Sequence, residues 1–122
     1  MPCPCLSGLP YDGCCGAFHA GTYLPPTAER LMRSRYAAYV KGLPAYLLRT
    51  WHPSTRPSEL LLDPGVRWYR LEILGRTRGG MLDNEGTVEF RASFRNGLDK
   101  GSQHELSRFV RENGQWYYLD GE

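Results

Sequence analysis

Four cysteines fall within the first fifteen residues, as Cys3-x-Cys5-x8-Cys14-Cys15, and the rest of the chain has none. Thiolates are soft donors, and zinc takes four such donors tetrahedrally, typically two from each of two short pieces of backbone. Cys3/Cys5 and Cys14/Cys15 form such pairs, and Ser7-Gly8 and Pro10 between them suit a chain that folds back. The Cys/Gly/Pro-rich lead up to Pro26 has almost no core of its own, so a metal is the expected source of its order. The predicted ligands are therefore Cys3, Cys5, Cys14 and Cys15, and the predicted ion is Zn2+. Other uses of the thiols are two disulfides, redox-reactive vicinal cysteines, or replacement of Cys15 by His19 as fourth ligand. A reducing compartment argues against the disulfides, as does the strain of joining adjacent Cys14 and Cys15.

Outside the cysteines, Arg35, His52, Glu89 and Glu105 are the residues to weigh for a pocket. Arg35 borders the apolar face of a helical segment, where a cation must find a carboxylate or reach solvent. Glu72, Glu89 and Glu105 on strand segments are its candidate partners. His52, in Trp51-His52-Pro53, is a candidate general base beside Glu89 or Glu105, or a cap at a helix end. His104 alternates within a charged strand and reads as a surface residue. No nucleophile elbow, phosphate loop or paired-carboxylate pattern is present, and Gly79-Gly80 reads as a turn. No catalytic residue is assigned. Arg30, Arg33, Lys41, Arg49 and Arg56, with Tyr23, Tyr46 and Trp51, allow an RNA-binding reading, but no dense basic run supports it.

Two kinds of element must position these groups. Thr27 after Pro25-Pro26 is a predicted N-cap; Met32, Tyr36, Tyr39 and Leu43 then share one helix face, and Gly42 is the stop. Pro44 opens a second helix, predicted over Ala45 to about His52, and Ser58 caps a predicted turn over Glu59–Leu62. From Val66 the period changes to two. Strands are predicted over Val66–Leu74, Thr87–Arg95, Gln103–Arg111 and Gln115–Asp120, with turns at Asn84-Glu85-Gly86, Asn96-Gly97 and Asn113-Gly114. Helices followed by a meander predict an α+β fold with the helices on one face of an antiparallel sheet. A sheet face left uncovered is the place for a homodimer contact, so the chain is expected to be a monomer or such a dimer.

The 122 residues are enough for about one domain with a packed core, at 41% apolar and a net charge of +2. The positive excess lies in the first half and is no signature of a nucleic-acid binder; four zinc-bound thiolates would bring the total to about zero. No apolar run spans a membrane, and the start lacks the basic and apolar regions of a secretion signal, so a cytoplasmic location is expected.

Cys-Pro-Cys, Ser-Gly, Tyr11 and Cys14-Cys15-Gly16 resemble the SEC-C motif, the zinc-binding module at the C-terminus of the SecA translocase ATPase. The match covers about fourteen residues and implies the zinc-ligand role for Cys3, Cys5, Cys14 and Cys15. Leu6 stands where that family usually has Gly. Leu31-Met32-Arg33-Ser34-Arg35-Tyr36, Thr50-Trp51-His52-Pro53, Val88-Glu89-Phe90, Ser107-Arg108-Phe109 and Trp116-Tyr117-Tyr118-x-Asp120-Gly121 extend the resemblance, nearly full length, to YchJ-type bacterial proteins. Some members of that family end in a second SEC-C motif, which this sequence does not contain. The resemblance implies a SEC-C-like module over residues 1–22 and, over residues 23–122, an NTF2-like domain. In that fold a curved sheet wraps around helices as a cone. By analogy with SecA, the zinc module is expected to contact a protein partner, one linked to chaperones or translation, making the chain an adapter. The alternative is a small-molecule-binding protein or enzyme that uses the cone pocket. Chelation is expected to disorder residues 1–22 and leave the strand-rich body folded.

Overall fold

The computed structural model describes residues 1–122. Three helices, α1 (Cys15–His19), α2 (Ala28–Lys41) and α3 (Pro44–Arg49), precede four strands, β1 (Val66–Arg78), β2 (Glu85–Asn96), β3 (Asp99–Glu112) and β4 (Gln115–Gly121). The strands form one antiparallel meander in the order β1-β2-β3-β4. This is the expected α+β, NTF2-like arrangement.

The boundaries of α2 follow from its capping chemistry. The Thr27 hydroxyl accepts from the Arg30 N–H at 3.1 Å, satisfying one of the amides that a helix start leaves unpaired. Gly42 closes the helix in the left-handed region (φ 70°), which a residue with a Cβ adopts at a cost. Helix α3 begins at Pro44 as expected but ends at Arg49 instead of near His52. From Thr50 the chain leaves the helix to run beside β4: Tyr118 N donates to Thr50 O (2.9 Å) and His52 N to Tyr118 O (2.7 Å). The Thr50 and Trp51 amides still donate to Tyr46 O and Leu48 O, but bonds to Tyr118 from Thr50 O and His52 N draw the chain away from the helix path. The turn predicted over Glu59–Leu62 is irregular chain; Leu60 and Leu62 pack against Phe18, Ala38, Tyr46 and Leu47 without forming a helical turn.

All four strands outrun their predicted ends. Strand β1 has register shifts at Trp68/Arg70 and Ile73/Gly75. Each inserts one unpaired residue, moves the inward phase by one and bends the strand. Trp68, Leu71 and Ile73 consequently all face the helices although they do not alternate strictly. The turn predicted at Asn84-Glu85-Gly86 lies earlier: Glu85 and Gly86 already pair with β3, and the chain reverses over 79–84. Gly86 faces Gly79 so closely that a Cβ there would stand 2.5 Å from Gly79 N and 3.0 Å from Thr77 O. The two remaining hairpins follow the sequence. Gly97 (φ 65°) opens the loop between Asn96 and Asp99, and Asn113 (φ 54°) and Gly114 (φ 76°) make the last one.

The main core lies between α2 and the concave sheet face: Ala28, Leu31, Met32 and Tyr36 meet Leu71, Val88, Phe90, Ala92, Phe109 and Trp116. Trp116 is 1% exposed, and its indole N–H donates to Pro26 O at 3.2 Å. No helix is long and apolar enough to cross a membrane.

Candidate metal centre and adjoining cavity

Residues 1–14 fold back on themselves. Cys3 N donates to Leu9 O and Tyr11 N to Met1 O, both at 2.9 Å, so Cys3/Cys5 and Cys14/Cys15 come together across the hairpin. Leu6, where the SEC-C family usually has Gly, adopts φ 66°. A non-glycine residue there bears about 1–2 kcal/mol of backbone strain. Gly16 follows Cys15 for a steric reason: a Cβ would lie 2.7 Å from Tyr11 O.

The four sulfur atoms all lie within 4.8 Å of one another. Cys5 and Cys14 are 3.7 Å apart, and Cys14 and Cys15 4.0 Å. A tetrahedron with Zn–S bonds of 2.3 Å has S···S edges of about 3.8 Å. The donor set therefore fits a single tetrahedral ion. Every sulfur neighbours the other three, so the cluster is not two separate pairs, and the cysteines are free thiols. All four are buried, none more than 3% exposed.

Charge in the cluster is strongly shared. The Cys15 thiol, then the Ser7 side chain, hold Cys5 down at about 4 against its desolvation. Cys15 is pushed far up by Cys5 and by burial, and burial raises Cys3. Burial and the neighbouring sulfurs thus work against ionising Cys3 and Cys15 beside Cys5, an opposition that a cation at the centre would offset. Backbone N–H groups of Cys5 and Cys15 lower the Cys3 thiol and that of Ser7 lowers Cys5, so the main chain favours thiolate character.

His19 is not a fourth ligand. Its Nε2–H donates to Ser34 O of α2 (2.8 Å), which leaves Nδ1 to accept from the Tyr11 hydroxyl (2.6 Å). The ring is neutral in this role, and burial pushes its pKa down. His19 instead pins the module to α2. The basic residues considered for RNA make contacts within the chain. Arg33 donates to Cys5 O (2.9 Å) and pairs with Glu29 (3.0 Å), and Arg49 donates to Phe18 O and His19 O. Arg30 and Lys41 lie over the rings of Phe18 and Tyr11. Arg56 donates to Trp51 O. Phe18 packs with Ala38, Tyr46 and Leu47, and the cysteines pack on Ala37, so the lead shares its core with the helices.

A cavity of about 140 Å³ opens between α2 and the concave sheet face. It brings Arg35 and Glu105 together with Tyr39, Trp51, Trp68 and Tyr118. The expected ion pair of Arg35 is absent. Its Nη1 donates to Leu47 O (2.8 Å) and Thr50 Oγ1 (2.7 Å), and its guanidinium lies 4.5 Å from the Tyr118 ring centre and 5.2 Å from that of Trp51. Carbonyl, hydroxyl and aromatic faces replace the carboxylate, and burial lowers its pKa to about 10. Glu72 pairs instead with Arg70 at 3.7 Å, and Glu89 with His104 at 2.6 Å on the opposite, exposed face of the sheet. His104 is at the surface as expected, though bonded. His52 meets neither Glu89 nor Glu105: its Nε2 lies 3.0 Å from Glu112 and its Nδ1 2.7 Å from Ser54, outside the cavity. The set of Arg35, His52 and a strand acid therefore does not assemble.

Glu105 faces inward because it stands opposite Phe90 in the register. Its carboxylate accepts from Ser107, from Gln103 at 3.4 Å and from the Tyr118 hydroxyl at 3.4 Å. Burial and this carboxylate raise the Tyr118 phenol, keeping it a donor. Gly121 leaves the space: any Cβ there would overlap the Glu105 side chain. Sequence reasoning singled out Trp51-His52 but weighted the histidine; the tryptophan is the cavity residue. Tyr39, Trp68 and Gln103 also line it: Tyr39 from the sheet-facing side of α2, Trp68 and Gln103 by the strand register.

A four-cysteine hairpin docked on the helices of a sheet-wrapped cone defines a SEC-C motif protein with an NTF2-like body. The YchJ middle NTF2-like domain family matches residues 27–121. A UPF0225 protein of Streptomyces coelicolor is 58% identical, covering 99% of this chain and 94% of its own, and one of Corynebacterium glutamicum is 53% identical over 98% and 95%. The solution structure of a SEC-C motif containing protein from Rhodopseudomonas palustris superposes with a TM-score of 0.85 at 39% identity, covering 100% of this chain and 98% of that one. A crystal structure of another, from Psychrobacter arcticus, gives 0.79 at 31% identity over 98% and 81%. The chain belongs to the YchJ-like UPF0225 family.

Proposed function

We propose that the cysteine cluster is a structural zinc centre and that the chain is a binding protein of adapter type, whose metal-ordered N-terminal module contacts a protein partner. The convergence of four buried sulfurs carries the metal reading. A set of thiolates alone favours zinc among common divalent ions, and four protein donors leave no open position for substrate, as a structural site requires. In this reading residues 1–22 are the module and residues 23–122 the body, and a cytoplasmic location keeps the thiols reduced. Partner contact is supported by the exposed apolar side chains of Met1, Leu6 and Leu9 on the hairpin.

Metal analysis of native protein is expected to give one zinc per chain, with four thiols becoming reactive on chelation. Thiols that react fully in untreated protein would remove the centre. Wild type is expected to recover from lysate a protein that Cys14→Ser and Leu6→Ser/Leu9→Ser both lose; equal recovery by all three removes the partner contact.

A second reading, binding of a small molecule in the cone cavity, is favoured by one observation. The Nε and Nη2 groups of Arg35 have no acceptor in the protein, although the residue is only 6% exposed.

A further inference from the structure

Arg35 and Glu105 are oppositely charged, line one cavity and do not touch. No contact within 4.0 Å joins Arg35 to any carboxylate, and none joins Glu105 to any basic group. The Tyr118 side chain holds them apart, its ring under the guanidinium and its hydroxyl on the carboxylate. Nη1 of Arg35 is used up by Leu47 and Thr50, which fixes the guanidinium plane and leaves the Nε/Nη2 edge free. That edge carries two parallel N–H groups, the geometry that grips a carboxylate bidentately. Glu105 accepts only from neutral donors and keeps lone pairs for a further one.

The two charges together select the ligand. A simple organic anion would meet Arg35 but bring a second negative charge beside Glu105. A simple amine would meet Glu105 but stand near Arg35. A molecule with both groups satisfies each and adds no net charge to a partly desolvated site. Most of the remaining lining is apolar, with Met32, Phe90, Ala92 and the rings of Tyr39 and Trp68; polar Gln103 and Ser107 sit on Glu105. The volume of about 140 Å³ is close to that of a cavity that holds benzene, so about six to eight non-hydrogen atoms fit.

We propose that this cavity binds a small zwitterion of the α-amino acid type, with its carboxylate on the Nε/Nη2 edge of Arg35, its ammonium on Glu105 and a short aliphatic side chain against the aromatic wall. The inference rests on the second reading above and names its ligand class.

The probes are L-valine, 3-methylbutanoate, which lacks the amine, 2-methylpropylamine, which lacks the carboxylate, and the neutral 3-methylbutanamide. Two-dimensional NMR of the Trp51 and Trp68 indole N–H signals reads occupancy. L-Valine is expected to bind wild type saturably and at least about tenfold more tightly than either single-charge analogue. In Glu105→Gln the order reverses: valine weakens about tenfold, and 3-methylbutanoate tightens because the repelling charge is gone. Arg35→Lys keeps the charge but loses the bidentate edge and is expected to weaken both carboxylates. Glu105 is partly exposed, so the Gln variant keeps the test decisive should the Lys variant fold poorly. If 3-methylbutanoate binds wild type as tightly as valine, or Glu105→Gln changes neither, the zwitterion inference falls and the cavity reading stands. If none of the four probes moves either signal up to about 10 mM, both fall.

Discussion

Replacing His19 with Ala cuts the docking of the N-terminal module where it is most specific. The ring donates to Ser34 O at 2.8 Å, accepts from the Tyr11 hydroxyl at 2.6 Å and sets its edge against Tyr46 with centroids 4.6 Å apart. Each hydrogen bond contributes about 1 kcal/mol net and the aromatic contact about 1 kcal/mol more. The ring thus holds roughly 3 kcal/mol of docking. The Ser34 carbonyl lies inside α2 and the Tyr11 hydroxyl is partly exposed, so neither is left as a fully buried orphan. If, as proposed, metal binding orders the same residues as docking, the docking term is the upper bound on what metal affinity loses. Three kcal/mol is about 100-fold. Competition against a chromophoric chelator is expected to show zinc held about 10- to 100-fold more weakly in His19→Ala. Unfolding of the strand-rich body is expected to stay within about 1 kcal/mol of wild type. Unchanged zinc affinity, with the amides of residues 1–22 still protected from exchange, would refute the coupling: the metal alone would then order the hairpin.

Two further outcomes follow from the same geometry. Burial holds His19 below its ordinary value of 6.5, so the unfolded chain takes up that proton at higher pH than the folded one. His19 therefore contributes its full stability above about pH 6.5 and loses it progressively as the pH falls below that value. The stability difference between wild type and His19→Gln is expected to be flat above about pH 6.5 and to shrink below it; a difference that grows on acidification overturns the assignment of a neutral ring. Gly86→Ala would place a Cβ 2.5 Å from Gly79 N, where only backbone can yield. A loss of about 3 kcal/mol is expected from the urea midpoint, and an unchanged midpoint would mean that the two strands separate freely there.

The cysteine cluster was legible because it needs only types and spacing: Cys-x-Cys and Cys-Cys can reach one ion from two ends of a short hairpin. So were the caps Thr27 and Gly42 and the turns at Gly97 and Asn113-Gly114, whose determinants lie within a few residues. The end of α3 was not, because the Thr50 carbonyl and the His52 amide bond to Tyr118, far away in sequence. The strand phases of β1 were not, because bulges shift them. His19 showed only that it could ligate, and nothing local revealed that Ser34 and Tyr11 would occupy both its nitrogens.

By itself, then, the sequence determined the cysteine set, the order of helices and strands and the α+β class, all of which rest on short-range periodicity and turn chemistry. Tertiary structure decided which charges meet. Glu89 and Glu105 lie on neighbouring strands with similar surroundings in sequence, yet one faces solvent with His104 and the other faces Arg35 across Tyr118. The side of the sheet on which a residue falls is set by pairing register, and register is a property of two strands together.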